Sequence, residues 1–205
     1  MATSNRTVTL PTLALGAGVG LATFVVGYVL TYAWRASAVA GQLRGLNLVA
    51  TLFGVETVPT WKGVGWLFFG AHGVATRFPA PGGGTHLVNL VQQSNDGTVA
   101  LLYVLVPVLL VLAGALAARL AEATSTGEAA GAGAAIAVGY LVGAVVGVVL
   151  FAQAIGSTGA HIAPDPITAV LLAGVIYPVV FGAVGGVVST YVRPTARSTS
   201  AAAGR

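Results

Sequence analysis

The chain has 205 residues, of which 56% are apolar and only 7% are charged, and it contains 29 glycines and no cysteine. Long apolar runs rich in Gly are typical of integral membrane helices, and they leave little chain for a soluble domain. The lack of Cys excludes a disulfide framework and any thiolate metal or redox site. The formal charge of +4 is spread over loops and tails, so the chain lacks the clustered basic face of a nucleic-acid-binding protein.

The first apolar run, residues 10–34, predicts a retained transmembrane helix, because a cleaved signal peptide has a shorter apolar region of about 7–15 residues. Small residues at Ala36 and Ala38 leave cleavage open as the alternative. Residues 36–54 then carry apolar side chains every three or four positions, with polar ones between them. This pattern predicts an amphipathic helix in the plane of the membrane interface, or one packed beneath the ends of the bundle.

Residues 60–78 form a weaker second apolar run. Trp61 and Lys62 begin it and Arg77 ends it, and these side chains suit the two edges of a membrane. The apolar part between them is shorter than the usual span of about 20 residues. It is either a thin but complete crossing or a re-entrant segment buried against protein, and we expect the crossing because of the distribution of basic residues described below.

Three more spans follow the loop at residues 79–97. They are expected at 98–120, with a kink at Pro107, at 129–155, and at 167–192 after a second loop at 156–166. Residues 193–205 are polar and basic, which predicts a disordered tail. The predicted fold is therefore an all-α integral membrane helical bundle, a single domain with about five transmembrane helices and one amphipathic interfacial helix.

Small residues recur every four positions in the last two predicted spans. Such stripes let two helix backbones approach closely, and close packing replaces the hydrophobic force that lipid cannot supply between helices. The pattern predicts helix packing within one chain or between copies, and we expect a homo-oligomer or a membrane protein partner. The predicted packing residues are Gly131, Ala135, Gly139, Gly143 and Gly147 in the fourth span, and Gly174, Gly182 and Gly186 in the fifth.

The distribution of basic residues predicts the orientation in a cell membrane. With five spans, seven basic residues lie on one side and two, Arg6 and Arg77, on the other, so the C-terminus is expected in the cytoplasm. If residues 60–78 do not cross, the N-terminus moves inside and the split becomes five against four. The seven basic residues are Arg35, Arg44, Lys62, Arg119, Arg193, Arg197 and Arg205.

Ionisable residues are absent from the middle of the predicted spans, with His72 as the exception by type. Ion-coupled transporters usually carry such a group at mid-depth, so a proton relay or sodium coupling within one chain is not expected. His72 could titrate near neutral pH, or it could be a neutral side chain bonded to a carbonyl of a neighbouring helix. We take His72, Gln153, Tyr177 and Pro178 as the candidate cavity or gate residues.

No constellation of residues indicates catalysis or metal binding. The three His and two of the carboxylates fall near one side of the predicted bundle, but no pair has the spacing of metal ligands. No Ser or Thr in a predicted span has a base near it in the sequence. We therefore expect no metal, no cofactor and no enzymatic activity. The residues considered as ligands are His72, His86, His161, Asp96 and Asp165.

Two stretches carry a resemblance to a known group of proteins. They are Trp61–Phe68 (WKGVGWLF) and Ile162–Pro178 (IAPDPITAVLLAGVIYP). With these stretches, the whole chain resembles an uncharacterised family of small multi-pass membrane proteins from halophilic archaea. Members are sometimes labelled transporters without a demonstrated substrate. The resemblance implies an archaeal source and a cell-membrane location, and it supplies no catalytic or binding residue.

The expected function is passive or accessory movement of a small solute or ion. The alternative is a non-transporting membrane subunit or scaffold that anchors partner proteins. A transporter should contain a water-accessible polar cavity lined by His72, Gln153 or Tyr177, whereas a scaffold should be dry and fully packed.

Overall fold

The computed structural model describes residues 10–52, 54–80, 83–156 and 159–192. It is mostly helical, and four helices within these ranges are long and apolar enough to cross a membrane. The tail expected at residues 193–205 lies outside the described residues. The four long helices are Leu10–Leu52, Gly97–Leu120, Thr126–Leu150 and Pro166–Tyr191.

Helix α1 (Leu10–Leu52) has 43 residues and is the longest element. At 1.5 Å per residue it is about 65 Å long, roughly twice the hydrocarbon thickness of a bilayer. The separate interfacial helix expected at residues 36–54 is therefore corrected, because it continues α1 without a break. The junction reads Trp34-Arg35-Ala36-Ser37-Ala38, and it contains neither the Pro nor the Gly that would end a helix.

Helix α2 (Thr60–Gly70) has only 11 residues, so it is about 16 Å long. A turn follows it, with Gly73 in the left-handed region at φ +78°, and strand β1 (Thr76–Pro79) runs back. The helix expected over residues 60–78 therefore ends early, at Gly70, and the chain turns back, a path that we describe as re-entrant with respect to the helical bundle. The physical reason is the pair Gly70 and Gly73, which ends the helix and permits the reversal.

The remaining helices form three rods. A short 3-10 helix (Gly97–Leu101) leads into α3 (Leu102–Leu120), and α4 (Thr126–Ala134) continues as α5 (Ile136–Leu150) after a break at Ala135. The helix expected to reach residue 155 ends at Leu150. The last rod comprises α6 (Pro166–Thr168), a π-helix (Ala169–Ile176) and α7 (Tyr177–Tyr191).

A four-stranded antiparallel sheet covers one end of the bundle, so the all-α expectation is corrected. Its strands lie in the order β2 (Thr85–Val88), β1, β4 (Ala160–Pro164) and β3 (Gln153–Ile155), and the register pairs Arg77 with Leu87 and with Ala163. The strands are only three to five residues long. Strands β2 and β4 come from the two segments expected as loops, whereas β1 and β3 come from the C-terminal ends of expected spans.

We call the end that carries β1–β4 the sheet end, and the end that carries the connection at residues 121–125 the turn end. Along the bundle, α1 packs on α5, while α3 and α4 pack on α7. From mid-bundle to the turn end these contacts include glycines. A Cβ added at Gly139 would overlap the carbonyl oxygen of Ala17, and one added at Gly186 would overlap that of Ala129. The helix backbones there are therefore in direct contact.

Candidate functional site at the tip of the re-entrant segment

The re-entrant segment consists of α2, the turn at residues 71–75 and β1. Both of its ends are attached at the sheet end of the bundle. Lys62 donates from Nζ to the carbonyl oxygen of Ala152 (2.6 Å), and the indole N–H of Trp66 donates to that of Phe151 (2.8 Å). At the return, Arg77 Nε lies 2.6 Å from Asp165 Oδ1. The segment therefore enters the bundle and leaves it from the same end.

The tip of this segment carries His72, which is fully buried. Its Nδ1 lies 2.9 Å from the carbonyl oxygen of Phe68, and its Nε2 lies 2.8 Å from the hydroxyl of Tyr140. A carbonyl can only accept, so Nδ1 carries the hydrogen. In the neutral ring, Nε2 then accepts from the Tyr140 hydroxyl. Tyr140 lies near the middle of the rod Thr126–Leu150, so the tip reaches the interior of the bundle.

Aromatic rings surround the imidazole of His72. Phe68 stands edge-on to it with ring centroids 4.9 Å apart, and the centroid of Tyr177 lies 5.5 Å away. Phe68 and Phe69 have no exposed surface, and Tyr140 retains only 2%. Both hydrogen bonds of the imidazole are used within this ring cluster. His72 is thus a packed core residue with both ring nitrogens bonded. The carbonyl it contacts belongs to Phe68 of its own segment, not to a neighbouring helix as one interpretation of the sequence had it, and the neighbouring helix supplies the Tyr140 hydroxyl instead.

Tyr177 and Pro178 lie where the π-helix passes into α7. Tyr177 is half-buried, and its ring contacts both His72 and Phe181. Pro178 lacks an N–H, and its ring would clash with the carbonyl four residues earlier in a regular helix. The wider turn of the π-helix relieves that clash directly beside the re-entrant tip.

Gln153 is not part of this cluster, because it lies on β3 in the sheet. Its side chain is buried with 1% exposed, and Nε2 donates to the carbonyl oxygen of Ala154 at 3.2 Å. Its Oε1 has no hydrogen-bond partner. The structure therefore brings His72, Tyr177 and Pro178 together and places Gln153 at a separate position.

The predicted packing glycines divide into two groups by what they contact. Gly139 and Gly182 meet helix backbone, and Ala135 meets Gly16. Gly143 and Gly147 instead face aromatic rings, with a Cβ at Gly143 only 2.6 Å from the ring of Phe24. Gly174 faces Leu141, Gly186 faces Ala129, and Gly131 is half-buried in α4.

Two Arg–Asp pairs attach the segments of the sheet end to the long helices. Arg35 of α1 donates from Nη2 to Asp96 Oδ2 (2.7 Å) and from Nη1 to the Thr98 hydroxyl (3.0 Å). Asp96 also caps the 3-10 helix by accepting from the Thr98 N–H (2.9 Å). Hydrogen bonds from the Thr98 hydroxyl, then from Arg35 and the Thr98 N–H, lower the pKa of Asp96 to about 2.

The second pair repeats this arrangement at the return of the re-entrant segment. Asp165 caps the last rod by accepting from the Thr168 N–H (2.9 Å) and hydroxyl (2.7 Å), and it also pairs with Arg77. Burial alone would raise the pKa of Asp165, but the Thr168 bonds and the Arg77 charge outweigh it. The net effect is a pKa below the ordinary value.

The residues considered as metal ligands are not gathered into one site. Asp96 and Asp165 are engaged with arginines, His72 is bonded to Tyr140, and His86 and His161 are exposed on different strands. Within the ranges that the structure describes, no three His, Asp or Glu side chains lie close enough to hold a metal ion.

Sequence reasoning missed Tyr140 and the two Asp caps. Asp96-Gly-Thr98 and Asp165-Pro-Ile-Thr168 are recognisable helix-start patterns, because Asp accepts from the first free N–H groups and Pro suits the first turn. Nothing in the local sequence distinguishes Tyr140 from an aromatic residue at the membrane interface. Its role depends on where the re-entrant tip ends.

A family profile described as "Family of unknown function (DUF7978)" matches residues 1–193. No curated protein and no solved structure matches the chain. The match covers nearly the entire sequence, including the re-entrant segment and all four long helices.

Proposed function

From the premise that the chain belongs to this family of unknown function, whose description names no activity, we propose that it is a non-transporting membrane subunit that anchors a partner protein. The observation that supports this proposal most is the closed centre of the bundle. His72, Phe68 and Phe69 have no exposed surface, and the imidazole is satisfied by internal hydrogen bonds. A packed centre offers no polar path for a solute.

The proposed setting is a cell membrane crossed by the four long helices. The helix ends at Leu10 and Tyr191 then lie at the turn end, together with Arg119. This places five basic residues at the turn end and four at the sheet end. By the positive-inside rule the turn end and the C-terminus are cytoplasmic, and the sheet end faces outward. The resemblance to proteins of halophilic archaea adds an archaeal source to the proposal.

The proposed partner surface is the free end of α1, residues 41–52, which extends beyond the other helices. Its exposed apolar side chains include Leu48, which is 64% exposed, and Leu52, which is 76% exposed. The adjoining segment is held rigidly, because the Asn47 amide bonds both the N–H and the carbonyl of Val58. A rigid apolar surface next to the membrane suits a membrane protein partner or a second copy of the chain.

Two measurements test the anchoring role. Purified chain in liposomes should conduct protons, K⁺ and glycerol no faster than protein-free vesicles, with gramicidin as the positive control for proton and K⁺ flux. In native membranes, Leu48→Glu should abolish co-purification of the partner. The matched change Val149→Glu, on a lipid-facing surface of α5, should reduce only the amount of protein inserted in the membrane. Solute-specific flux would contradict the proposal, and so would unchanged co-purification by Leu48→Glu.

Passive movement of a small solute or ion is the second candidate. The observation in its favour is the π-helix beside the re-entrant tip, since π-helical turns are frequent at functional sites and Tyr177 there is only half-buried. If this region opens, a His72→Cys variant should react with a water-soluble maleimide added from the sheet end. Complete protection under all tested gradients would leave the anchoring role as the better account.

A further inference from the structure

Strand β2 (Thr85–Val88) is an edge strand of the four-stranded sheet. Its inner edge pairs with β1, and no strand in the described part of the chain pairs with its outer edge. The strand is open to its surroundings, and Leu87 keeps 62% of its surface exposed. An edge of this kind carries a row of unpaired N–H and C=O groups. It is therefore a surface of defined chemistry, which an extended strand of another chain can satisfy.

The register of β1 and β2 shows which backbone groups point outward. The Ala80 N–H donates to the Gly84 carbonyl (3.2 Å), so this pair is a hydrogen-bonded rung that the register continues at every second residue. Bonded and non-bonded rungs alternate in an antiparallel pair, so Thr85 and Leu87 lie on non-bonded rungs. Pro79, which has no N–H, stands opposite Thr85 as this assignment requires. The N–H and C=O groups of Thr85 and Leu87 therefore point to the free edge.

A second copy of β2 in the antiparallel direction matches these groups. When Thr85 of one copy lies opposite Leu87 of the other, the two residues exchange two hydrogen bonds. The twofold axis then passes beside His86, and the symmetry repeats the exchange on its other side. All outward backbone groups of the strand are thereby satisfied. Strand β2 also lacks Lys, Asp, Glu and Pro, the residue types that commonly keep a free edge from pairing.

The neighbouring residues exclude the other two symmetric registers. Moving the axis one residue toward the start of β2 places Leu87 opposite Gly83, whose φ of +97° lies outside the extended region. Moving the axis one residue the other way requires the carbonyl of Asn89, which already accepts from the Gln93 N–H (3.1 Å). The register centred on His86 is therefore the one that uses extended residues with free backbone groups.

The face of the sheet determines the direction of the axis. Thr76 and Phe78 lie on the same face of β1, where Thr76 is 1% exposed and Phe78 packs edge-on against Trp66 of α2 with ring centroids 6.1 Å apart. This face rests on the end of the bundle. The axis that relates two strands joined edge to edge is perpendicular to the sheet, so it runs along the bundle. Both copies then have the same orientation in the proposed membrane.

We propose that two copies of this chain pair through β2, with His86 at the twofold axis, and join their two four-stranded sheets into one continuous sheet. The contact lies away from the proposed anchoring surface, because the free end of α1 borders β3 and β4 on the other side of the sheet. The inference rests on the membrane setting of the proposed function but not on the anchored partner. Leu48→Glu should therefore leave the pairing unchanged.

Disulfide cross-linking of single-cysteine variants tests the register, since the chain has no native Cys. In native membranes, His86→Cys should form a disulfide-linked homodimer, because residues on a non-bonded rung have Cα atoms about 4.5 Å apart. The two equivalent Cα atoms in Thr85→Cys or in Leu87→Cys are about 8 Å apart, which is too far for a disulfide. Of these three variants, only His86→Cys should give the homodimer.

A second change at position 87 of the His86→Cys chain tests the backbone hydrogen bonds. Leu87→Pro removes the outward N–H without removing a bond to β1, and Pro is tolerated in an edge strand at such a position. One hydrogen bond is lost from each copy, so cross-linking should become about 30-fold slower. Leu87→Val keeps the N–H and is the matched control, which should cross-link at the rate of His86→Cys alone.

Three outcomes would overturn the proposal. The first is equal cross-linking in the three single-cysteine variants, which would indicate random collision, or no homodimer from His86→Cys. The second is a cross-link of His86→Cys to a different protein in place of the homodimer, which would place another chain's strand on this edge. The third is an unchanged cross-linking rate in Leu87→Pro. The comparison of the single-cysteine variants holds even if Leu87→Pro fails to fold.

Discussion

The two halves of the bundle use glycine in different ways. In the half that runs from mid-bundle to the turn end, Gly20 and Gly139 bring helix backbones into direct contact, and an added Cβ would overlap a carbonyl oxygen. Toward the sheet end, Gly143 and Gly147 leave room for the rings of Phe24 and Phe69. Gly139 and Gly143 belong to the same stripe of small residues spaced four apart, and the contact partner changes from backbone to aromatic ring between them.

The rings on the sheet-end side come from two elements. Gly147 faces the ring of Phe69 from the re-entrant segment, and Gly143 faces the ring of Phe24 from α1. At Gly20 and Gly139 the neighbour is helix backbone instead. A stripe of small residues therefore indicates close approach, but it does not indicate whether a backbone or a ring is the neighbour.

The largest expected effect is at the backbone contact. Gly139→Leu should abolish recovery of folded protein, because neither the Ala17 carbonyl nor the helix axis can move away from a side chain. Size-exclusion chromatography in mild detergent measures the recovery of folded protein. Gly18→Leu is the control, since a Cβ there meets nothing within 4 Å. Gly147→Ala should change stability by only about 1 kcal/mol, because its ring neighbours can shift. A folded Gly139→Leu protein would refute the backbone contact.

The next effect concerns the attachment of the re-entrant segment. Asp165→Ala removes both the cap on Thr168 and the partner of Arg77, and should cost about 2–3 kcal/mol. The figure lies below that for a fully buried pair because Arg77 is 37% exposed. Denaturant unfolding in detergent measures the loss. Glu122→Ala, at a connection of the turn end, should differ little from the native protein; equal losses would indicate that Asp165 has no special role.

Acid should weaken the same end of the molecule. The pKa values of Asp96 and Asp165 are lowered from the ordinary 3.8, so their stabilisation is complete above about pH 4. It is lost as the pH falls below that value toward the folded-state pKa, which is about 2 for Asp96. Thermal midpoints between pH 6 and pH 2 should fall less in Asp165→Asn than in the native chain. An identical acid dependence would contradict the pairing.

A smaller effect is expected at the re-entrant tip. Tyr140→Phe leaves Nε2 of His72 without its donor and should cost about 1–2 kcal/mol. Tyr191→Phe is the matched control, because Tyr191 is 80% exposed and its loss should change stability by less than about 0.5 kcal/mol. Thermal unfolding followed by tryptophan fluorescence compares the two. No difference between them would show that His72 does not depend on Tyr140.

Part of this structure could be predicted from the sequence. Apolar runs gave four long helices, because such segments leave few alternatives to a helix that satisfies its own backbone. The edges of the re-entrant segment were also recognisable from Trp61, Lys62 and Arg77. Its direction was not, since a short apolar run between charges is equally consistent with crossing and with reversal. Counting basic residues favoured the crossing, yet Arg35 and Arg77 are engaged in ion pairs at one end of the bundle.

The sheet and the site depended on distant pairing. Strands of three to five residues show too little alternation of apolar and polar side chains to be recognised in the sequence. Strand β1 pairs with β4 because the re-entrant segment returns beside β4. His72 was singled out by type, but its partner Tyr140 lies 68 residues away. Such contacts are set by the path of the backbone, which local periodicity does not specify.

The re-entrant path is tested most directly by single-cysteine labelling, since the chain has no native Cys. Thr57→Cys and Thr85→Cys flank the segment at exposed positions, and Gly127→Cys lies at the turn end. In sealed vesicles, a membrane-impermeant maleimide should label Thr57→Cys and Thr85→Cys from one face and Gly127→Cys from the other. Labelling of Thr57→Cys and Thr85→Cys from opposite faces would show that residues 60–78 cross the membrane and would contradict the account.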